Sequence, residues 1–329
     1  MPSIDVAIPN YQYGRYLRKC VSSVLSQDVQ DLRVLIIDNA SKDDSVDIAR
    51  ELASKDSRVQ VVVHPTNLGY ERSLNEAIDW ASSEYFMILC SDDYLAQGAL
   101  ARAMSVMEEN PEVGLAFGGV VPFNNDNQTS GPEEAQQVAP WRISTGRQFI
   151  QDSCRDPMQQ KSANFIVVRT SIQKQAGHFR PSVQYALDYE MMLRIANLGS
   201  VAETRTIQAF RRHHEMNISN DLDVSKRLRM VDEAFQSFFS HEGGSIPQAL
   251  KLRQLAHRSL GVRAYWSGAA HLARGQLKSS ADLFNLAFSF SPRTAIIPPV
   301  DYLFRTRNAL TSVPRVIAEA LHWKQTPAG

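Results

Sequence analysis

Over the first hundred residues, short apolar runs alternate four times with segments of helical periodicity, and this constrains the fold more than any other feature. Residues 4–9 (IDVAIP) read as a strand closed by proline. Tyr16, Leu17, Cys20, Val21, Val24 and Leu25 follow at spacings of three and four, the apolar stripe of an amphipathic helix. Residues 33–37 (RVLII) are almost wholly apolar, as expected of a strand buried on both faces of a parallel sheet. Residues 45–53 read as a helix and 59–63 (VQVVV) as a third strand. Leu74, Ala77, Ile78 and Ala81 mark another helix, and residues 85–89 (YFMIL) a fourth strand. A βαβ series of this kind implies an α/β fold, a mostly parallel, doubly wound sheet with helices on both faces.

Such sheets bind ligands beyond the carboxyl ends of their strands. Asn10, Asp38, Asn67, Asp92 and Asp93 each fall just after a strand, so the topology alone gathers them at one edge. From residue 113 the pattern loosens. Residues 115–121 are apolar and glycine-rich, 124–132 read as a polar loop, 162–169 as a strand, 187–198 as a helix and 201–210 as a strand ending in RRHH. After about residue 222 strand signals vanish. Residues 250–273 and 278–288 read as two helices broken at Gly275, with small residues where they would pack, like one tetratricopeptide-type unit. Such a unit cannot bury its own face and is expected to dock elsewhere. The expected organisation is a domain over 1–221, divided into halves at 1–114 and 115–221, and a helical region over 222–329.

Composition excludes several classes. Lys+Arg and Asp+Glu are both 35, which argues against a dedicated nucleic-acid binder. Cys20, Cys90 and Cys154 suggest neither a disulfide framework nor a CxxC metal site, and reduced thiols point to an intracellular protein. The first residues lack the features of a signal peptide, and no run reaches the ~18 apolar residues of a spanning helix. Neither GxxxxGK[ST] nor GxGxxG occurs, so a cation would have to neutralise any bound phosphate.

Several residues carry chemistry. Asp92 and Asp93 suit a hard divalent cation bridging phosphate oxygens, although Asp93 would equally cap a following helix. Asp38 could accept from a ribose or base, or serve as a turn residue. Asp188 and Glu190 open a helix, where a carboxylate could act as general base or merely favour the helix N-terminus. Arg194 lies four residues beyond Glu190 and reads as its ion-pair partner. Arg211, Arg212, His213 and His214 could meet a diphosphate or a metal; for Arg212 and His214 a solvated basic turn is the favoured reading.

Six stretches then match, in order, a known pattern: VAIPNYQYGRYLRKCVSSVLSQ, LIIDNASKDDS, HPTNLGYERSLNEAI, ILCSDDYL, ALDYEMMLRI and AFRRHHEMNIS. The chain resembles glycosyltransferase family 2, of the GT-A fold, over about residues 3–219. The resemblance implies that Pro9, Asn10 and Tyr11 lie along a nucleotide, that Asp38 recognises uracil or thymine, and that Asn67, Gly69 and Arg72 belong to a loop closing on the nucleotide. The family's metal motif, Asp-x-Asp followed by Asp, stands here as Cys90, Ser91, Asp92 and Asp93, one acid short. Asp92 is then the implied metal ligand, Asp93 the second, and Ser91 a neighbour of the nucleotide. Asp188 matches the catalytic base of a Glu-Asp motif whose first position holds Leu187. Arg211 and His213 match an Arg-x-His segment, the arginine toward the diphosphate and the histidine toward the metal.

What the resemblance implies is an inverting, Mg²⁺- or Mn²⁺-dependent transfer from a UDP- or dTDP-type nucleotide sugar to a saccharide or lipid-linked acceptor. Its setting would be surface polysaccharide or glycolipid synthesis, in the cytoplasm or at the inner membrane face. Two other readings remain at this point. One is a non-catalytic nucleotide-sugar binder or scaffold with a degenerate metal motif. The other is a nucleotidyltransferase, which would want a glycine- and basic-rich loop that PNYQYGRYL does not supply. The neutral total also divides. Residues 1–114 hold 10 Lys+Arg against 18 Asp+Glu, while residues 222–329 hold 14 against 7. An acidic nucleotide half suits cation-mediated phosphate binding, and a basic tail suits peripheral contact with an anionic membrane or a solvated helical surface.

Overall fold

The structure, a computed structural model, describes residues 2–124, 138–158, 165–183, 186–217, 222–295 and 299. The polar loop expected at 124–132 lies outside the described residues apart from Asn124, as does the chain after Ala295 apart from residue 299. Two compact units divide the chain, residues 1–150 with 160–217 and residues 151–159 with 218–329.

The first unit begins with the alternation read from the sequence: β1 (Ser3–Asn10), α1 (Gly14–Leu25), β2 (Asp31–Asp38), α2 (Ser45–Lys55), β3 (Val59–Val63), α3 (Tyr70–Trp80) and β4 (Tyr85–Ile88). These four strands lie parallel in the order β3-β2-β1-β4. Val34, Leu35, Ile36 and Ile37 of β2 are all buried, as both faces of the sheet are covered. The apolar stripe of α1 (Tyr16, Leu17, Cys20, Val21 and Val24) is buried, and so are Leu74, Ala77 and Ile78 of α3.

The remaining elements are β5 (Tyr94–Leu95), α4 (Ala99–Glu109), β6 (Val113–Phe123), β7 (Arg142–Ser144), α5 (Gly146–Arg155), β8 (Ile166–Arg169), α6 (Thr170–Ala176), α7 (Leu187–Ala196) and β9 (Ser200–Arg212). Here the sheet turns mixed. Its order continues from β4 through β8, β6 and β9 to β5, with β7 paired to β9. β8 runs antiparallel to both β4 and β6, whereas β6 and β9 run parallel. The expectation of a helix directly after Asp93 is corrected: Tyr94 and Leu95 pair with Phe210 and Ala209 as a short strand, and α4 begins only at Ala99.

At the amino ends of the strands, Asp5 faces Arg33 in the β1–β2 register. The buried Asp5 carboxylate accepts from Arg33 at 2.8 and 2.6 Å, from the backbone N–H groups of Ser82 and Ser83 at 2.7 and 2.8 Å, and from Ser83 Oγ at 2.7 Å. Burial would raise its pKa, but Arg33 and these donors together outweigh burial and hold it below the ordinary value. The network ties the start of β4 to the sheet, opposite the ligand edge.

A close approach fixes the entry of α5. A Cβ at Gly146 would fall on the carbonyl oxygens of Ala196 and Gly199. Gly146→Ala should therefore destabilise the protein by about 1–3 kcal/mol, the usual result of overpacking. A urea midpoint unchanged from wild type would contradict that contact.

The second unit contains α8 (Val224–Ser240), α9 (Ala249–Ala273) and α10 (Leu277–Phe290). Asp223 caps α8, its side chain accepting the Lys226 N–H at 2.8 Å. α9 and α10 occupy the two stretches read as helices, and Gly275 takes a left-handed φ of 72° between them. Small residues let the pair approach: a Cβ at Gly268 would lie 3.3 Å from Phe284, and Ser280 Oγ donates to the Gly268 carbonyl at 2.9 Å. Among the described residues no helix is long and apolar enough to cross a membrane.

Candidate active site

The carboxyl ends of β1, β2 and β3 build the first half of the site. Asn10, the last residue of β1, donates from Nδ2 to Asp38 Oδ2 at 2.8 Å, and Asp38 Oδ1 accepts the Ser41 N–H at 2.8 Å. Asp38 is fully buried, so these bonds hold its carboxylate in place. Beyond the ends of β1 and β2 one non-glycine residue takes a left-handed backbone, Gln12 (φ 58°) and Ala40 (φ 62°) respectively. Strain of this kind gathers at ligand edges. Gln12 is held by its N–H bond to Ser41 Oγ at 2.8 Å. Pro9 is buried in β1, while Tyr11 is exposed at the strand end.

Asn67, Gly69 and Arg72 come next. Asn67 Oδ1 accepts from Asn39 Nδ2 and from the Gly69 N–H, both at 2.9 Å. Gly69 enters α3 with φ 90°, a conformation that favours glycine. Arg72 is exposed in the first turn of α3.

The segment after β4 builds the second half. Ligand atoms of Cys90, Asp92 and Asp93 all lie within 4.8 Å of one another. Ser91, between them, is buried, and its hydroxyl has no hydrogen-bond partner among the described residues. Asp93 caps no helix: its Oδ1 accepts the backbone N–H of Arg212 at 2.9 Å. Asp92 Oδ2 meets His214 Nε2 at 3.0 Å and Asn217 Nδ2 at 3.4 Å.

The RRHH segment departs from its expected reading. Arg212 is 5% exposed, its Nε donates to the Asp92 carbonyl at 3.2 Å, and its guanidinium lies over the rings of Tyr16 and Phe123. The His214 side chain is 3% exposed and its ring stacks on Tyr16, with Tyr13 edge-on. Neither is a solvated turn. His213 forms its backbone bond to the Phe123 carbonyl, and the imidazole on Asp92 is that of its neighbour. Arg211, partly exposed in β9, stands opposite Pro122.

Asp188 sits in the first turn of α7. Burial pushes its pKa up to about 6. Burial, followed by the carboxylates of Asp93, Asp92 and Asp188, pushes the Cys90 thiol well above its ordinary range, which puts Asp188 in the field of the β4 end. Two residues on, Glu190 is 1% exposed and pairs with Arg194 at 2.8 Å, as the four-residue spacing predicts, and with Arg180 at 2.7 Å. Glu190 is thus held in buried ion pairs.

The donor set suits a hard divalent cation through two carboxylates. Asp92 keeps a second oxygen beyond the one that meets His214 and Asn217. Cys90 is the poor member, since a thiol is a soft ligand and hard cations take oxygen donors.

Comparisons with known proteins address the family and the fold. Residues 5–177 match the profile described as Glycosyl transferase family 2. Chondroitin synthase of Pasteurella multocida is 25% identical over 239 residues, which are 70% of this chain and 23% of that protein. Seven curated relatives, the synthase among them, are matched over only 22–46% of their own lengths. Among solved structures, residues 1–349 of Staphylococcus aureus TarS in complex with UDP-GlcNAc superimpose with TM-score 0.55 at 16% identity, covering 88% of this chain and 91% of that one. A mannosyltransferase from Pyrobaculum calidifontis, in complex with GDP-Man and Mn²⁺, gives TM-score 0.56 at 18% identity, covering 97% and 86%. These two likenesses establish the GT-A fold.

Proposed function

The chain belongs to glycosyl transferase family 2, and from that premise we propose that it moves a sugar, with inversion, from a nucleoside-diphosphate sugar to an acceptor hydroxyl. The observation that carries this reading is the meeting of two sets at one sheet edge. Asn10 and Asp38 form a buried polar pair, and beside them the Cys90–Asp92–Asp93 group lies in the field of a half-buried acid, Asp188. The assigned catalytic region is residues 1–221.

In the proposed mechanism Asp188 takes the proton of the acceptor hydroxyl. That oxygen attacks the anomeric carbon, and the nucleoside diphosphate leaves from the opposite face. A pKa of about 6 leaves Asp188 ionised at neutral pH yet basic enough to accept a proton. Asp38 would receive the base of a UDP- or dTDP-type donor, with Pro9, Asn10, Tyr11, Asn67, Gly69, Arg72 and Ser91 around the nucleotide. Arg211 would face the diphosphate. Asp92 and Asp93, with His213 assigned by position, would hold Mg²⁺ or Mn²⁺, which when bound supplies positive charge to the leaving diphosphate. The acceptor is proposed to be a saccharide or a lipid-linked sugar of surface polysaccharide or glycolipid synthesis.

Thermal unfolding with UDP, dTDP and GDP sugars, each with and without Mn²⁺, tests the donor site. A ligand at 100 times its Kd adds about 2.7 kcal/mol of stability, and the expected shift is metal-dependent. No shift with any donor would sink the reading. Cys90 and Leu187, standing where the family pattern has acids, favour a second reading as a non-catalytic binder. That reading predicts the same shift but no release of nucleoside diphosphate with any acceptor.

A further inference from the structure

Residues 63–70 leave β3 and enter α3 as an exposed run with a single buried member, His64. Exposed loops of this length without regular structure open readily unless they are tied down. This one is tied from below. The His64 N–H extends the β2–β3 ladder by one bond, to the Asp38 carbonyl at 2.8 Å. The imidazole then spans two elements, with Nδ1 3.0 Å from Asn39 Oδ1 and Nε2 2.7 Å from Glu76 Oε2 on α3.

The loop's own bonds fix the orientation of these groups. The Leu68 N–H donates to Asn39 Oδ1 at 2.8 Å, so that atom is the amide oxygen. Asn39 Nδ2 donates to Asn67 Oδ1, which also accepts the Gly69 N–H. His64 therefore faces an acceptor on each side. Asn39 in turn binds the loop twice, at Asn67 and at Leu68.

We propose that His64, held between Asn39 and Glu76, is a positioning residue that fixes the 64–69 loop so that Asn67 and Gly69 stand at the ligand edge. Its importance for the donor rests on the reading of that edge as a nucleotide site. The fixation itself does not, because two backbone amides report it directly.

The test compares wild type with His64→Ala, Glu76→Ala and Glu76→Gln. Hydrogen exchange is read at the Leu68 and Gly69 amides, with β6 amides as reference. Binding of UDP, dTDP and GDP with Mn²⁺ is measured in parallel by calorimetry. Loss of a charge-assisted bond should speed exchange at Leu68 and Gly69 about tenfold or more in both alanine variants. Glu76→Gln keeps an acceptor oxygen and should retain most of the protection. Whichever nucleotide binds wild type should bind the alanine variants about three- to tenfold more weakly, because fewer molecules hold the competent loop. Unchanged exchange at Leu68 and Gly69 in His64→Ala would overturn the proposal. So would an equal acceleration in β6, the mark of general destabilisation. If no nucleotide binds wild type, the donor reading fails and the exchange result still decides the role of His64.

Discussion

Asp188→Asn should lower transfer by about two to four orders of magnitude, the usual share of a general base, without loss of stability. The amide cannot accept the acceptor's proton, but it has nearly the same shape as the carboxylate. The stability half of the expectation follows from linkage. Burial raises the pKa of Asp188 to about 6 in the folded chain, above the ~3.9 of an unfolded aspartate. The folded form therefore binds the proton more tightly. This group's contribution to stability is fully present below about pH 4 and is lost as pH rises through about 6. At pH 7 the ionised carboxylate is a burden on the fold, so the neutral amide should leave the thermal midpoint equal or higher. The same pKa predicts that wild-type turnover declines as pH falls below about 6, as the base becomes protonated. An Asp188→Asn protein with unchanged turnover, or one that unfolds, would remove the assignment.

The largest expected effect on stability belongs two residues further along the same helix. Glu190→Ala leaves Arg194, itself 2% exposed, and Arg180 without their carboxylate. Removing one partner of a buried ion pair typically costs about 3–5 kcal/mol, because the remaining charge stays buried. Arg194 also donates from Nη2 to the His178 carbonyl at 2.9 Å and from Nη1 to that of Ala176. A neutral replacement of Glu190 therefore disturbs the approach to α7 as well as the helix. Against a typical total of ~5–15 kcal/mol such a loss is severe. Replacing both Glu190 and Arg194 by apolar residues should recover part of it, as charge burial is then removed altogether. A urea midpoint for Glu190→Ala close to wild type would show that the pair carries little stability.

These two acids illustrate how much of the site was legible. The spacing of Glu190 and Arg194 announced an ion pair, since residues four apart share a helix face. No local pattern told Asp188 from any other acid at a helix start; that took the family resemblance, and its raised pKa is a property of the folded surroundings. Asn10 and Asp38 were legible as strand-end residues because parallel βαβ topology gathers strand ends. The choice between His213 and His214 was not legible. His214 meets Asp92 from 122 residues away, and no short motif links the two. His64 was also hidden, because its partners stand 25 and 12 residues away and no short motif links them.

By itself the sequence determined the parallel half of the sheet, the helices that cover it, and the edge where polar residues collect. Hydrophobic periodicity records which faces are buried, and four βα repeats admit few topologies. The helical pair after residue 249 was equally readable, because a helix announces itself over consecutive turns. Only the tertiary structure decided the mixed half: the insertion of β8 between β4 and β6, the two-residue β5, and β7 on β9. β5 and β7, of two and three residues, are too short to carry a period, and the place of β8, itself readable as a strand, is set by which sheet edges distant segments leave open. The same holds for His214 on Asp92 and His64 on Glu76. Their roles rest on contacts between segments far apart in the chain, which exist only after the sheet has assembled.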